Sequence, residues 1–275
     1  MNTLRSEDAE FPNSHPFPMN WLEIAETWVL IPPRQRGVIH FLGGAFIGAT
    51  PHLTYRRLLE RLAQQGFAIV ATPFVNTFDH QEIAETVLRS FEISLSRLEQ
   101  RGKLRSYLPI YGLGHSMGCK LQLLIGSLFD VKRSGNILLA FNNYPAKRSI
   151  PFLDQVIDRL APSLAIDFNV EFTPTPEETL HLIQKHYPTS RNLLVKFRKD
   201  EIDQTTDLYP ILQERFQRLT HLLNLPGNHL TPLGQDVQWQ VERSFSPLDA
   251  VGQWMRQELY KDLQGLEQEI IRWLV

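Results

Sequence analysis

With 275 residues, 43% of them hydrophobic, the chain has apolar material for one large α/β domain and more than a disordered chain carries. A net charge of -2 leaves no basic footprint for nucleic acid and no polybasic signal for a membrane surface. No apolar run reaches the ~18 residues of a membrane span, and the single cysteine, Cys119, excludes an internal disulfide. A soluble cytoplasmic protein is the expectation.

Residues 1–19 are polar, with acids, prolines and no apolar segment. They are no signal peptide and are expected to form a loose arm ahead of a domain spanning 20–275. Trp21 to Ile31 is strand-like and is closed by Pro32-Pro33. Gly37 to Leu42 is a short apolar run ending in Gly43-Gly44, as a buried parallel strand runs into a tight loop. Leu53, Leu58, Leu59 and Leu62 mark one helical face, which Gly66 ends. Phe67–Ala71 is a second buried strand. Ile83, Ala84, Val87, Leu88, Phe91, Leu95 and Leu98 recur at three- and four-residue steps, so 80–100 is an amphipathic helix. Leu108–Leu113 is a third core strand, followed by a helix from Ser116 to Leu128. Asn136–Phe141, Asn192–Phe197 and His221–Leu225 are the fourth, fifth and sixth. A stripe from Leu248 to Ile270 predicts a long C-terminal helix over 247–274. Strands alternating with helices imply an α/β fold, a mostly parallel central sheet flanked by helices. Residues 142–190 are too long for one crossover. With helices expected near 151–160 and 176–187, they read as a helical cap inserted over the C-terminal edge of the sheet.

Gly114-His115-Ser116-Met117-Gly118 lies directly between an apolar strand and a helix. A strand-to-helix elbow strains the serine backbone and lifts its hydroxyl above the sheet, and the two glycines avoid clashes with neighbouring backbone. Ser116 then stands at a helix N-terminus, where the dipole and free amides favour developing negative charge. The bland alternative is a glycine-rich turn with an N-capping serine. His115 is adjacent to Ser116 but points elsewhere on an elbow, and is expected to pack.

A serine hydroxyl needs a general base, usually a histidine oriented by a carboxylate. Of the histidines after Ser116, His181 and His186 fall in an expected cap helix, and His221 opens a strand. His229 follows that strand in the turn-rich Leu225-Pro226-Gly227-Asn228-His229, so it is the expected base. The acid should follow the preceding strand, in Phe197-Arg198-Lys199-Asp200-Glu201-Ile202-Asp203. Asp200 is nearest the strand end, with Asp203 as the alternative. The oxyanion donors expected are the amide of Met117, after the nucleophile, and that of Gly44 or Ala45 in the loop after Gly37–Leu42.

In order and spacing, the run from Gly37 onward resembles the α/β-hydrolase superfamily, whose esterases, lipases and thioesterases often carry Gly-His-Ser-Met-Gly. More narrowly, Phe41-Leu42-Gly43-Gly44-Ala45-Phe46-Ile47-Gly48-Ala49-Thr50-Pro51 and Phe197 to Thr205 resemble an uncharacterised cyanobacterial and plastid family known only as a domain of unknown function. The chain departs from the broad hydrolase pattern at Leu42-Gly43-Gly44, where many members have His-Gly, at Cys119, where a further glycine is common, and at Arg198, where the acid turn usually has glycine. The resemblance implies an α/β-hydrolase fold and a serine hydrolase acting on a small-molecule ester or thioester, with no cofactor and no metal. Phe46, Phe141, Tyr144, Phe152 and Phe168 are candidates to line an apolar pocket. The competing readings are a non-catalytic binding or scaffold protein on the same fold, and C–C or cofactor-free haloperoxidase-like chemistry at the same three residues.

Overall fold

The computed structural model describes residues 20–45, 47–145, 171–233 and 247–275, the last span with side chains from Tyr260 onward. The expected N-terminal arm, the expected helix near 151–160, and Phe46, Phe152 and Phe168 lie outside the described residues.

The strand-like stretch from Trp21 to Ile31 is a hairpin rather than one strand. β1 (Leu22–Ile24) and β2 (Thr27–Leu30) pair antiparallel. Ala25 and Glu26 between them both take positive φ, 48° and 63°, as a two-residue turn matched to strand twist requires. Then come β3 (Gly37–Leu42), β4 (Phe67–Ala71), β5 (Ile110–His115), β6 (Gly135–Leu139), β7 (Asn192–Phe197) and β8 (Thr220–Leu225). The eight strands form one sheet in the order β1-β2-β4-β3-β5-β6-β7-β8, and all from β4 to β8 in that order pair parallel. β5, which leads into Ser116, therefore lies in the middle of the sheet, between β3 and β6.

Strand residues alternate between two apolar layers, as the period of two demands. Ile39, Phe41, Leu113, Ile137 and Val195 face a layer that holds α2 (Arg56–Gln64) and the end of α7 (Pro247–Leu274). Val38, Leu42, Ala68 and Val70 face α3 (His80–Gln100) and α4 (Met117–Leu128). Asp79 caps α3 by accepting the Glu82 amide at 2.8 Å.

Leu53 does not share the face of Leu58, Leu59 and Leu62. A short α1 (Pro51–Thr54) breaks at Tyr55, with φ -113° and ψ 17°, before α2 begins. The break leaves Leu53 57% exposed and buries Tyr55 completely.

α5 (Pro176–His186) opens with a capping box between Thr175 and Glu178. Its Ile183, with Tyr187 just beyond, packs against Cys119, Leu123, Leu138 and Leu194, so this helix lies on the α4 face of the sheet. Residues 146–170 of the expected cap are outside the described part. Between β7 and β8 lies α6 (Thr205–Phe216), which hydrophobic periodicity does not announce because Pro210 interrupts it. Leu208 and Leu212 bury it in the same layer as α5. Phe141 belongs to that core at 1% exposure, so it lines no mouth. No helix among the described residues is long and apolar enough to cross a membrane.

Candidate active site

The turn from β5 into α4 is as tight as the glycine spacing requires. Ser116 has φ 56° and ψ -120°, a conformation an L-residue adopts only under constraint. Its amide donates to the Leu139 carbonyl of β6 at 2.9 Å. A side chain at Gly118 would place its Cβ 2.1 Å from the Leu42 carbonyl oxygen, so the first turn of α4 fits against the end of β3 only without one. Gly114 is similarly closed, with a Cβ meeting the Cys119 nitrogen at 2.6 Å.

His229 reaches this serine from a compact turn after β8. Gly227, at φ 114°, lets the chain fold back, and Thr231 Oγ1 accepts the Asn228 amide at 2.8 Å. The Lys199 amide donates to the Gly227 carbonyl at 2.9 Å, which ties this turn to the one after β7. There Asp200 forms its own small turn by accepting the Ile202 amide on Oδ1 at 3.1 Å. The three side chains meet. His229 Nε2 lies 2.9 Å from Ser116 Oγ, and His229 Nδ1 lies 2.8 Å from Asp200 Oδ2. Burial pushes the Asp200 carboxyl up, but the hydrogen bond and charge of His229 and the Ile202 amide outweigh it and hold the group below its ordinary value.

Asp203, the alternative acid, is otherwise engaged. Its Oδ1 accepts the Thr205 amide at 2.7 Å and its Oδ2 accepts the Thr205 hydroxyl at 3.1 Å, so it ties down the first turn of α6. Lys196 is 3.5 Å away. His221 is exposed on β8, an edge strand.

The loop after β3 corrects one expectation. The Gly44 amide already donates to the Tyr55 hydroxyl at 2.9 Å, so in this conformation it is not free for an oxyanion. The Gly44 carbonyl accepts the Gly48 amide at 2.7 Å. Because a trans peptide is planar, this bond fixes the following N–H, that of Ala45, in the opposite direction. Neither the Ala45 nor the Met117 amide has a hydrogen-bond partner among the described residues. Both are therefore available as donors.

His115 does more than pack. It is fully buried, with Nδ1 2.8 Å from the Tyr55 hydroxyl and Nε2 2.8 Å from the His229 carbonyl oxygen. Burial first, then the neighbouring His229, lower its pKa to about 3. Sequence reading missed Tyr55 altogether. Its only sequence signal is an aromatic residue where the pattern of leucines changes phase. Among the described residues no group of three His, Cys, Asp or Glu is placed to hold a metal ion.

Comparison with known structures agrees with this architecture. A soluble variant of monoglyceride lipase from Saccharomyces cerevisiae superposes with TM-score 0.53 at 15% identity, over 98% of each chain. Carboxyl esterase 2 from Tuber melanosporum gives 0.52 at 18% identity, over 92% of this chain and 90% of that one. Dienelactone hydrolase from Anabaena variabilis gives 0.51 at 14%, over 93% and 94%. At such identities the likeness is one of fold, and the fold is that of the α/β-hydrolases. No curated protein sequence matches the chain. A family model does match, over residues 20–275, and the chain belongs to that family, described as "Protein of unknown function (DUF1350)".

Proposed function

We propose that this protein is a serine hydrolase that cleaves a small-molecule ester or thioester through an acyl-enzyme on Ser116. One observation carries the reading: a single imidazole, that of His229, bridges a strained serine and a buried carboxylate at 2.9 and 2.8 Å. A serine hydroxyl alone is a poor nucleophile at neutral pH, and a hydrogen-bonded imidazole makes it competent. Asp200 holds the proton of His229 on Nδ1, which leaves Nε2 unprotonated toward Ser116 Oγ. As Oγ attacks the acyl carbon, Nε2 takes its proton and the carbonyl oxygen becomes an oxyanion. The amides of Met117 and Ala45, helped by the N-terminus of α4, stabilise that charge. The tetrahedral intermediate collapses, His229 returns the proton to the leaving alcohol or thiol, and the acyl group stays on Ser116. Water, activated by the same imidazole, then releases the acid and restores the serine. Side chains, backbone amides and water balance every step, so the reaction needs no metal and no cofactor.

The test is covalent labelling with a fluorophosphonate probe, followed by a panel of short- and long-chain acyl esters and thioesters. Wild type labels, and Ser116→Ala, which removes one oxygen from a partly exposed side chain, folds and does not label. A folded wild type that resists the probe would put the non-catalytic binding reading in its place. Full-rate labelling of Ser116→Ala would move the nucleophile elsewhere.

A further inference from the structure

We propose that Tyr55 and His115 are positioning residues. They form a buried hydrogen-bonded clamp that couples the loop carrying the Ala45 amide to the backbone that carries the base. The clamp runs from the Gly44 amide to the Tyr55 hydroxyl (2.9 Å), from that hydroxyl to His115 Nδ1 (2.8 Å), and from His115 Nε2 to the His229 carbonyl oxygen (2.8 Å).

The protons in this chain have one consistent arrangement. The Gly44 N–H can only donate, so the Tyr55 oxygen accepts. The single phenol proton then goes to His115 Nδ1, which must be the unprotonated nitrogen. The ring proton is therefore on Nε2, and it donates to the His229 carbonyl, which can only accept. Every polar atom is used, and the arrangement requires a neutral His115. Both side chains are fully buried. Burial lowers the His115 pKa to about 3 and raises that of Tyr55, so neither group changes charge near neutral pH. The clamp is a fixed strut and not a switch.

Its two ends meet the reaction at different atoms. At one end, Gly44 precedes the Ala45 amide, and the Tyr55 bond holds the Gly44 N–H while the Gly48 bond holds its carbonyl. At the other end, the His229 carbonyl belongs to the residue whose ring stands between Ser116 and Asp200. The rings of His115 and His229 lie 5.0 Å apart and those of Tyr55 and His115 5.6 Å apart, so the strut is packed as well as bonded. Helix α1 ends at Tyr55, whose side chain is fully buried, and His115, the last residue of β5, is buried between Tyr55 and the His229 carbonyl. The positioning role rests on the hydrolase reading above; the mechanical coupling does not.

Tyr55→Phe removes one oxygen from the middle of the strut and keeps the ring, so the variant folds. Amide hydrogen exchange on the resting protein tests the coupling. Exchange is expected to quicken about tenfold both at Gly43 to Ala45 and at Asn228 to Thr231. A change confined to Gly43 to Ala45 would reduce Tyr55 to a local hook on its own loop and overturn the clamp. Saturation labelling with a fluorophosphonate tests the positioning. The maximal rate is expected to fall about 10- to 100-fold while the probe's half-saturating concentration stays within about twofold, because misplaced groups cost rate rather than binding. His115→Gln should give a similar loss, and the double variant no more than the larger single loss, because the links act in series. Losses that multiply in the double variant, or an unchanged maximal rate in Tyr55→Phe, would overturn the positioning role. If wild type does not label, the hydrolase reading fails, and the exchange result still decides the coupling.

Discussion

Replacing Asp200 by asparagine discriminates between the two carboxylates, and the structure predicts how the replacement acts. The Ile202 amide donates to Oδ1 of Asp200, and His229 Nδ1 faces Oδ2. In Asp200→Asn the backbone donor keeps the amide oxygen on its side, so the NH2 group is turned toward His229. Nδ1 must then accept, which moves the imidazole proton to Nε2, facing Ser116 Oγ, and a protonated Nε2 takes no proton from the serine. In Ser-His-Asp sites generally, the wrong tautomer costs about 10⁴-fold in turnover, equivalent to about 5.5 kcal/mol of transition-state stabilisation. The volume is nearly unchanged, so the fold should survive. The assay is the fluorophosphonate labelling rate at pH 8, normalised to folded protein by circular dichroism. The control is Asp203→Asn, which should cost about 1 kcal/mol of stability by weakening the hold on the first turn of α6 and change labelling by no more than roughly threefold. The reasoning fails if Asp200→Asn labels within about tenfold of wild type, or if a folded Asp203→Asn is unreactive.

Gly118→Ala should be destabilised by more than about 3 kcal/mol, because the Cβ would lie 2.1 Å from the Leu42 oxygen and 2.6 Å from the Gly43 oxygen, both backbone; an unchanged urea midpoint would contradict that contact. His40, His80 and His115 are buried, and burial lowers His80 and His115 to about 3 and His40 well below its ordinary value. The unfolded chain takes up their protons near pH 6.5 and the folded one does not. Their effect is absent above about pH 6.5 and grows as pH falls toward 5, removing about 1.4 kcal/mol per pH unit for each histidine, about 4 for the three. Urea midpoints at pH 7, 6 and 5 measure the slope. His80→Phe should flatten it by about a third, since neither ring nitrogen of His80 has a partner to lose; a midpoint indifferent to pH would refute the assignment.

Much of the fold is legible in local pattern. Gly37 to Leu42 reads as a buried parallel strand because a strand covered on both faces is mostly apolar, His40 being its one polar side chain. The Gly114 to Gly118 spacing forecasts the elbow because only glycine fits on either side of so tight a turn. The pattern fails where one residue breaks a period. Pro210 hides α6, and Tyr55 splits a leucine-marked helix in two, so that Leu53 turns to solvent. The hairpin of β1 and β2 is hidden for another reason. Its turn is Ala25-Glu26, without the glycine or asparagine that usually takes positive φ.

The sequence by itself determines the alternation of strands and helices, the elbow at Ser116, and the chain order in which an acid and a histidine follow it. These depend on residues within a few positions of one another, where steric and hydrophobic rules act directly. The tertiary structure alone decides that His229 meets Asp200 and not Asp203, that Tyr55 takes the Gly44 amide, and that His115 holds the His229 carbonyl. Those bonds join residues 29, 11 and 114 positions apart. Their partners are set by the register of parallel strands and the direction in which each loop leaves the sheet. A hydrogen bond tolerates only a few tenths of an ångström in that placement, a precision that no pattern of residue types along the chain encodes.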